Sequence, residues 1–215
     1  MAARIDTCLR FLLAVILLTP ANTVNAESLE ARLQTIDSRW ASIYGEPNKR
    51  SQTRAMKTLL QDVRSMHGGN PKDAAVAAWH GIVARSYLDM GGSPRIAREA
   101  RDAFLQAESL DALVFGGLVY ANLGALYTDA SSKFGGFGNK TRGLGYFWKA
   151  LVVDPDGVES NYLYAKMLAS EKDYHAAHDA LLRANTSVSH PLEANVDRAR
   201  RHSVSDLLEE LTPQL

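Results

Sequence analysis

An all-α fold of stacked helix pairs is predicted by three features of the sequence. Ala and Leu fill most apolar positions at steps of three and four, the alternation of a β-strand is scarce, and one set of steps recurs from pair to pair.

The chain opens with Arg4 and Arg10, the apolar run Phe11 to Leu18, Thr19-Pro20, and Val24-Asn25-Ala26 before Glu27. A basic start, a short apolar core and small residues three and one before a cut are the parts of a secretory signal. Residues 1–26 are therefore expected to be removed after Ala26, leaving the mature chain in the periplasm. The apolar run falls well short of the roughly 20 residues that span a bilayer. The single cysteine, Cys8, precedes this run, whereas a lipid-bearing cysteine would follow it. The processed chain is expected to carry no lipid, no disulfide and no inserted segment.

The first two helices are expected at Leu29 to Ile43 and Ser51 to Met66, an N-terminal hairpin within 27–69. Met56, Leu59, Leu60, Val63 and Met66 share one face of the second, and Gly68-Gly69 stops it. Asn70-Pro71 reads as a cap followed by a first-turn proline, opening a helix to about Met90. Gly91-Gly92 ends it and Ser93-Pro94 opens the next in the same way. Further starts are read near Leu113, at Asn139 or Lys140, after Asp156-Gly157, at Lys172 or Asp173, and at Pro191. Residues 191–215 form a terminal cap whose apolar positions are Val196, Val204, Leu207, Leu208 and Leu211.

Aligning the helices in pairs exposes the repeat within 70–190. Tyr120, Leu123, Gly124 and Tyr127 precede Phe147, Ala150 and Pro155. Asn161, Tyr164, Ala165 and Leu168 precede Tyr174, Ala177, Leu181 and Ala184. His80, Val83, Ala84 and Tyr87 precede Ala100, Phe104 and Ala107. Gly124, Ala84 and Ala165 are small where two helices must come within the 8–10 Å of normal packing. Each pair leaves an apolar face that only a neighbour can cover, so the pairs must stack.

These spacings resemble the tetratricopeptide repeat, which implies an all-α helical solenoid, here with flanking capping helices. An insertion at 129–139 separates the two helices of the middle pair. Its Phe134-Gly135-Gly136-Phe137-Gly138, with the following Asp154 to Ala165, resembles the T component of tripartite periplasmic transporters. That resemblance implies a non-catalytic accessory of solute uptake.

Motifs for catalysis are missing. His175 and His178 stand three apart, but no cysteine pair or carboxylate cluster completes a metal site. Asp154, Asp156 and Asn161 lack the glycine and glutamate places of an EF-hand loop. The Gly135 to Thr141 stretch lacks the Gly-Lys-Thr order of a phosphate loop, and no Gly-x-Ser-x-Gly elbow occurs. With 24 basic and 24 acidic residues the charge is balanced, which gives no support to nucleic-acid binding. No enzyme, metal or cofactor is expected.

The expected role is a periplasmic scaffold for a protein or peptide partner, with a transport component among the candidates. The alternative is an uptake accessory that binds or passes a small apolar or organic-acid solute. In a stacked array the first helix of each pair lines the concave face. Its exposed rows would be Ala78, Gly81, Arg85 and Asp89; Leu118, Ala121, Ala125 and Thr128; and Glu159, Tyr162, Lys166 and Ser170. Ala121 and Ala125 could equally pack against capping elements. Arg85, Glu159, Tyr162 and Lys166 are the partner-binding candidates there, joined by Phe134 and Phe137 of the insertion. The two phenylalanines either meet a partner or fold back over Tyr127 or Tyr146. Trp148 reads as outer packing or an edge anchor.

Overall fold

The structure, a computed structural model, describes residues 28–129, 136–186 and 194–215. The expected signal segment, Phe134 and Pro191 lie outside the described residues. Among those residues are nine α-helices and a short 3-10 turn, with no strand.

An N-terminal hairpin, α1 (Leu29–Tyr44) and α2 (Lys49–Gly69), leads into three pairs: α3 (Ala74–Asp89) with α4 (Pro94–Leu110), α5 (Leu118–Asp129) with α6 (Lys140–Val153), and α7 (Val158–Ser170) with α8 (Tyr174–Thr186). The last helix is α9 (Ala194–Leu211). Each pair packs on itself, α5 also packs on α4 and α7, and α2 packs on α3. This is the paired, stacked arrangement of a tetratricopeptide-like solenoid.

Local chemistry sets the helix starts. The side chains of Ser28, Asn48, Asp73 and Asn139 each accept from a backbone N–H in the first turn that follows, which satisfies donors that a helix leaves orphaned. Two expected starts move. Asn70 closes α2, donating from its backbone to His67 and from its side chain to Met66, and the Asp73 carboxylate caps α3 in its place. The helix expected near Leu113 begins at Leu118 because Phe115 and Gly116 take φ of 54° and 56°, where a right-handed helix cannot propagate. Gly117 then passes so close to α6 that an added Cβ would lie 2.7 Å from the Ala150 carbonyl oxygen.

The repeat residues pack as their spacing requires. A Cβ at Gly124 would lie 2.9 Å from the Phe147 ring. Tyr120, Leu123, Tyr127, Ala150, Ala165, Ala177 and Ala184 are buried, and Tyr164 and Leu168 are half-buried against the core. Pro155 is exposed at the turn, where its carbonyl accepts from Asn161 Nδ2 at 2.8 Å. In the α3/α4 pair Gly81 also lies at a close approach. A Cβ at Gly81 would sit 2.7 Å from Phe104, and Ala84 is buried one turn further on.

The main core runs from Ile36 and Trp40 through α2 to α6 and on to Met167 and Val196. A second cluster joins Val158, Ala165 and Leu181 to Val204 and Leu211 of α9. The last helix therefore caps α7 and α8 with its second half and reaches the main core with its first.

Candidate functional site

The concave face is closed. In α5 every residue from Leu118 to Tyr127 is buried, and α3 is buried over most of its length, the state of a helix covered on all sides. The cover comes from both ends of the chain. Trp40 of α1 donates from its indole N–H to Ser86 Oγ at 2.8 Å. Val196 and Arg200 of α9 reach the same place, and only about 10 Å³ of cavity remains among Trp40, Ile82, Arg85, Asn122, Val196 and Arg200. Asn195 Nδ2 donates to Asp37 Oδ2 at 2.6 Å and ties α9 to α1.

The expected exposure of the inner rows is thereby corrected. Ala78, Gly81, Arg85, Leu118, Ala121, Ala125 and Glu159 are buried; Thr128 and Tyr162 are half-buried; Asp89, Lys166 and Ser170 are exposed. Arg85 is 4% exposed. It donates to the Asn122 carbonyl at 3.3 Å and faces Asp129 at 3.5 Å and Asp89 at 3.8 Å.

Glu159 is 5% exposed and accepts two hydrogen bonds from Arg200, at 2.5 Å from Nε and 3.1 Å from Nη2. Burial works against the Arg200 charge, but Glu159, with Tyr44 and Tyr162 nearby, raises its pKa above the ordinary arginine value. The guanidinium also lies 4.6 Å over the Tyr162 ring, and Lys166 Nζ approaches the same ring at 5.8 Å. Glu159, Tyr162 and Lys166 are thus brought together, and the first two are engaged by the chain's own last helix. Sequence reading missed Arg200 as an inner-face residue. The available signal was its place at the step of four between Val196 and Val204, on the apolar side of α9.

At the insertion, Phe137 folds back. Its ring meets Tyr127 edge to face at 5.8 Å, and the Arg101 guanidinium lies 4.6 Å over it. Tyr127 stacks on Tyr146 at 5.7 Å and Tyr146 on Tyr120 at 6.2 Å. Arg142 covers Tyr127, while Glu108 accepts from the Tyr146 hydroxyl at 3.0 Å and from Lys149 Nζ at 3.1 Å.

On the outer side of α6 an apolar stripe has no cover among the described residues. Trp148 is 69% exposed, Val152 59% and Leu144 39%, at steps of four along one face.

A polar chain links α2, α3 and α4. His67 Nδ1 and His80 Nδ1 are 2.7 Å apart, His80 Nε2 is 2.7 Å from Glu99 Oε1, and Arg64 clasps Glu99 at 2.6 Å through two nitrogens. Among the described residues no group of three or more His, Cys, Asp or Glu is arranged to hold a metal ion. His175 is exposed and His178 half-buried. No helix of the described residues is long and apolar enough to cross a membrane. A cleft of about 930 Å³ between α1 and α2 is open and lined largely by Ser, Thr and Arg.

No protein-family model and no curated protein sequence matches the chain. Among solved structures it is similar to the crystal structure of the MamA protein, with 11% identity, a TM-score of 0.44, and coverage of 84% of this chain and 92% of that one. The repeat architecture stands on the pairing and stacking of this chain's own helices.

Proposed function

We propose that this chain is an exported, non-catalytic adaptor that docks a protein partner on the outer face of α6. The observation that carries the reading is the exposure of Trp148 between Leu144 and Val152. Tryptophan is enriched among residues that dominate interface energy, and a contiguous exposed apolar patch marks interaction surfaces. Spacing by four suits an apolar helix from the partner, packed along α6. The concave face, where such scaffolds would offer a groove, is already filled by α1 and α9.

Trp148→Ala tests it. The variant is expected to keep its stability within about 0.5 kcal/mol, as exposed positions do, and to lose a partner that copurifies with the wild-type chain from the cell envelope. Undiminished copurification with Trp148→Ala removes α6 as the docking face. Export is tested separately by mass spectrometry: the chain in the envelope fraction is expected to begin at Glu27, and one beginning at Met1 refutes processing.

A second reading, an accessory of solute uptake, is supported by a cavity of about 410 Å³ between α1 and α3. It predicts partner binding that depends on a solute.

A further inference from the structure

The stripe on α6 is symmetric about its centre. Leu144 stands four residues before Trp148 and Val152 four after it, both apolar and exposed. Eight residues before Trp148, in the first turn of α6, is Lys140; eight after it, in the turn beyond the helix, is Asp156. Both are exposed and their charges are opposite. Lys140 reaches Glu171 at 2.7 Å, but each side chain of that pair is about half exposed, and such a surface pair holds its ammonium only weakly. Laid against its own reverse, the row sets apolar groups opposite apolar groups and acid opposite base.

Gly145 is a second, independent observation. It is exposed three residues before Trp148, and an added Cβ there would meet nothing within 4 Å. At Gly143 and Gly124 a Cβ would strike Thr128 and Phe147; at Gly145 no neighbour among the described residues requires a glycine. Glycine inside a helix is costly, and here it leaves a gap in the side-chain surface beside Trp148, where a large ring from outside can lie against the backbone.

Given that α6 is the docking face, we infer that its occupant is α6 of a second copy of this chain, the two helices antiparallel about a two-fold axis at Trp148. The same patch then serves both copies. The axis brings Leu144 of each copy to Val152 of the other, and Lys140 of each to Asp156 of the other. Rows at steps of four are the ridges by which helices interdigitate, and Trp148 of each copy lies over Gly145 of the other. One helix face is small beside the roughly 1,600 Å² of a standard interface, so the dimer is reversible.

The test follows the purified full chain by sedimentation from about 1 μM to about 300 μM, a span that brackets weak association. Monomer should pass to dimer across it. Trp40 and Trp79 are buried, so acrylamide quenching reads Trp148 and should fall as the dimer forms. Trp148→Ala should stay monomeric throughout. Gly145→Gln, for which the fold has room, should keep the melting temperature and weaken the dimer by about tenfold, as overpacking of a close contact does.

The charges give the sharpest result. Lys140→Asp puts acid at both ends of the row, and Asp156→Lys puts base at both ends. Each variant should associate with itself less than wild type, and an equimolar mixture of the two should regain the dimer. A chain that stays monomeric at every concentration overturns the second copy as occupant, whereas loss of a copurifying partner in Trp148→Ala would still uphold α6 as a docking face. A dimer in which Trp148 remains open to acrylamide, or a mixture no more associated than its components, overturns the two-fold pairing.

Discussion

Arg200 on α9 grips Glu159 on α7 in a two-pronged ion pair between residues 41 positions apart, the carboxylate buried and the guanidinium half-buried. With Val196 beside it and Asn195 bonded to Asp37 of α1, this contact fastens the last helix across the inner face of the repeats. The solenoid is closed by its own two ends.

Removing one partner of that pair strands a buried charge. Arg200→Ala is expected to cost about 3–5 kcal/mol, whereas the double replacement Arg200→Met with Glu159→Met should be far milder. Urea unfolding of the two variants measures both. Equal losses would mean that the pair is solvated and does not hold α9 in place.

Gly124 lies under the Phe147 ring. Gly124→Leu overpacks this contact and is expected to cost about 1–3 kcal/mol. Because the neighbour is a side chain, Phe147→Leu in the same chain should recover part of the loss. A double-mutant cycle reading no coupling between these positions would place the close approach elsewhere.

Phe137 packs on Tyr127 and under Arg101. An aromatic pair contributes about 0.5–1.5 kcal/mol and a cation over a ring about 0.5–1 kcal/mol at an exposed site. Phe137→Ala should therefore lower stability by about 1–2 kcal/mol, measured by thermal melting. An unchanged melting temperature would return the ring to the role of a presented recognition residue.

Acid should weaken the fold in two stages at the α2–α3–α4 junction. His67 is held below its ordinary value of 6.5, first by burial and then by His80. The unfolded chain thus takes up that proton more readily, and stability starts to fall as pH drops below 6.5. Burial raises Glu99, but hydrogen bonds from Arg64 and His80 outweigh it and bring the carboxyl to about 2, against an ordinary 4.5. Its contribution is full above 4.5 and is lost as pH falls towards about 2. In melts from pH 8 to pH 2, His67→Gln should flatten the first decline and Glu99→Gln the second. Parallel curves for wild type and both variants would refute the assignment.

How much of this was legible beforehand depends on the range of each interaction. Helix positions, the need for a small residue at Gly124, the buried stripe Met56 to Met66 and the start of α4 at Pro94 all follow from steps of three and four and from local caps, which the chain carries along its own length. The start of α5 was misread because Leu113 to Phe115 has helical composition. What stops the helix there is the left-handed backbone at Phe115 and Gly116, required where Gly117 passes close to Ala150.

The inner face could not be read in the same way. Arg85 and Glu159 are charged, and charge on a helix ordinarily means water; here α9, far along the chain, supplies the cover, Arg200 supplies the charge opposite Glu159, and Asp89 and Asp129 face Arg85. By itself the sequence determined that helices form in pairs and that each pair needs a neighbour, because those demands arise from residues within one or two turns of each other. Only the tertiary structure decided that α1 and α9 meet across the concave face and that Trp148 is left outside, since which apolar surfaces remain uncovered depends on how the two ends of the chain return to the middle.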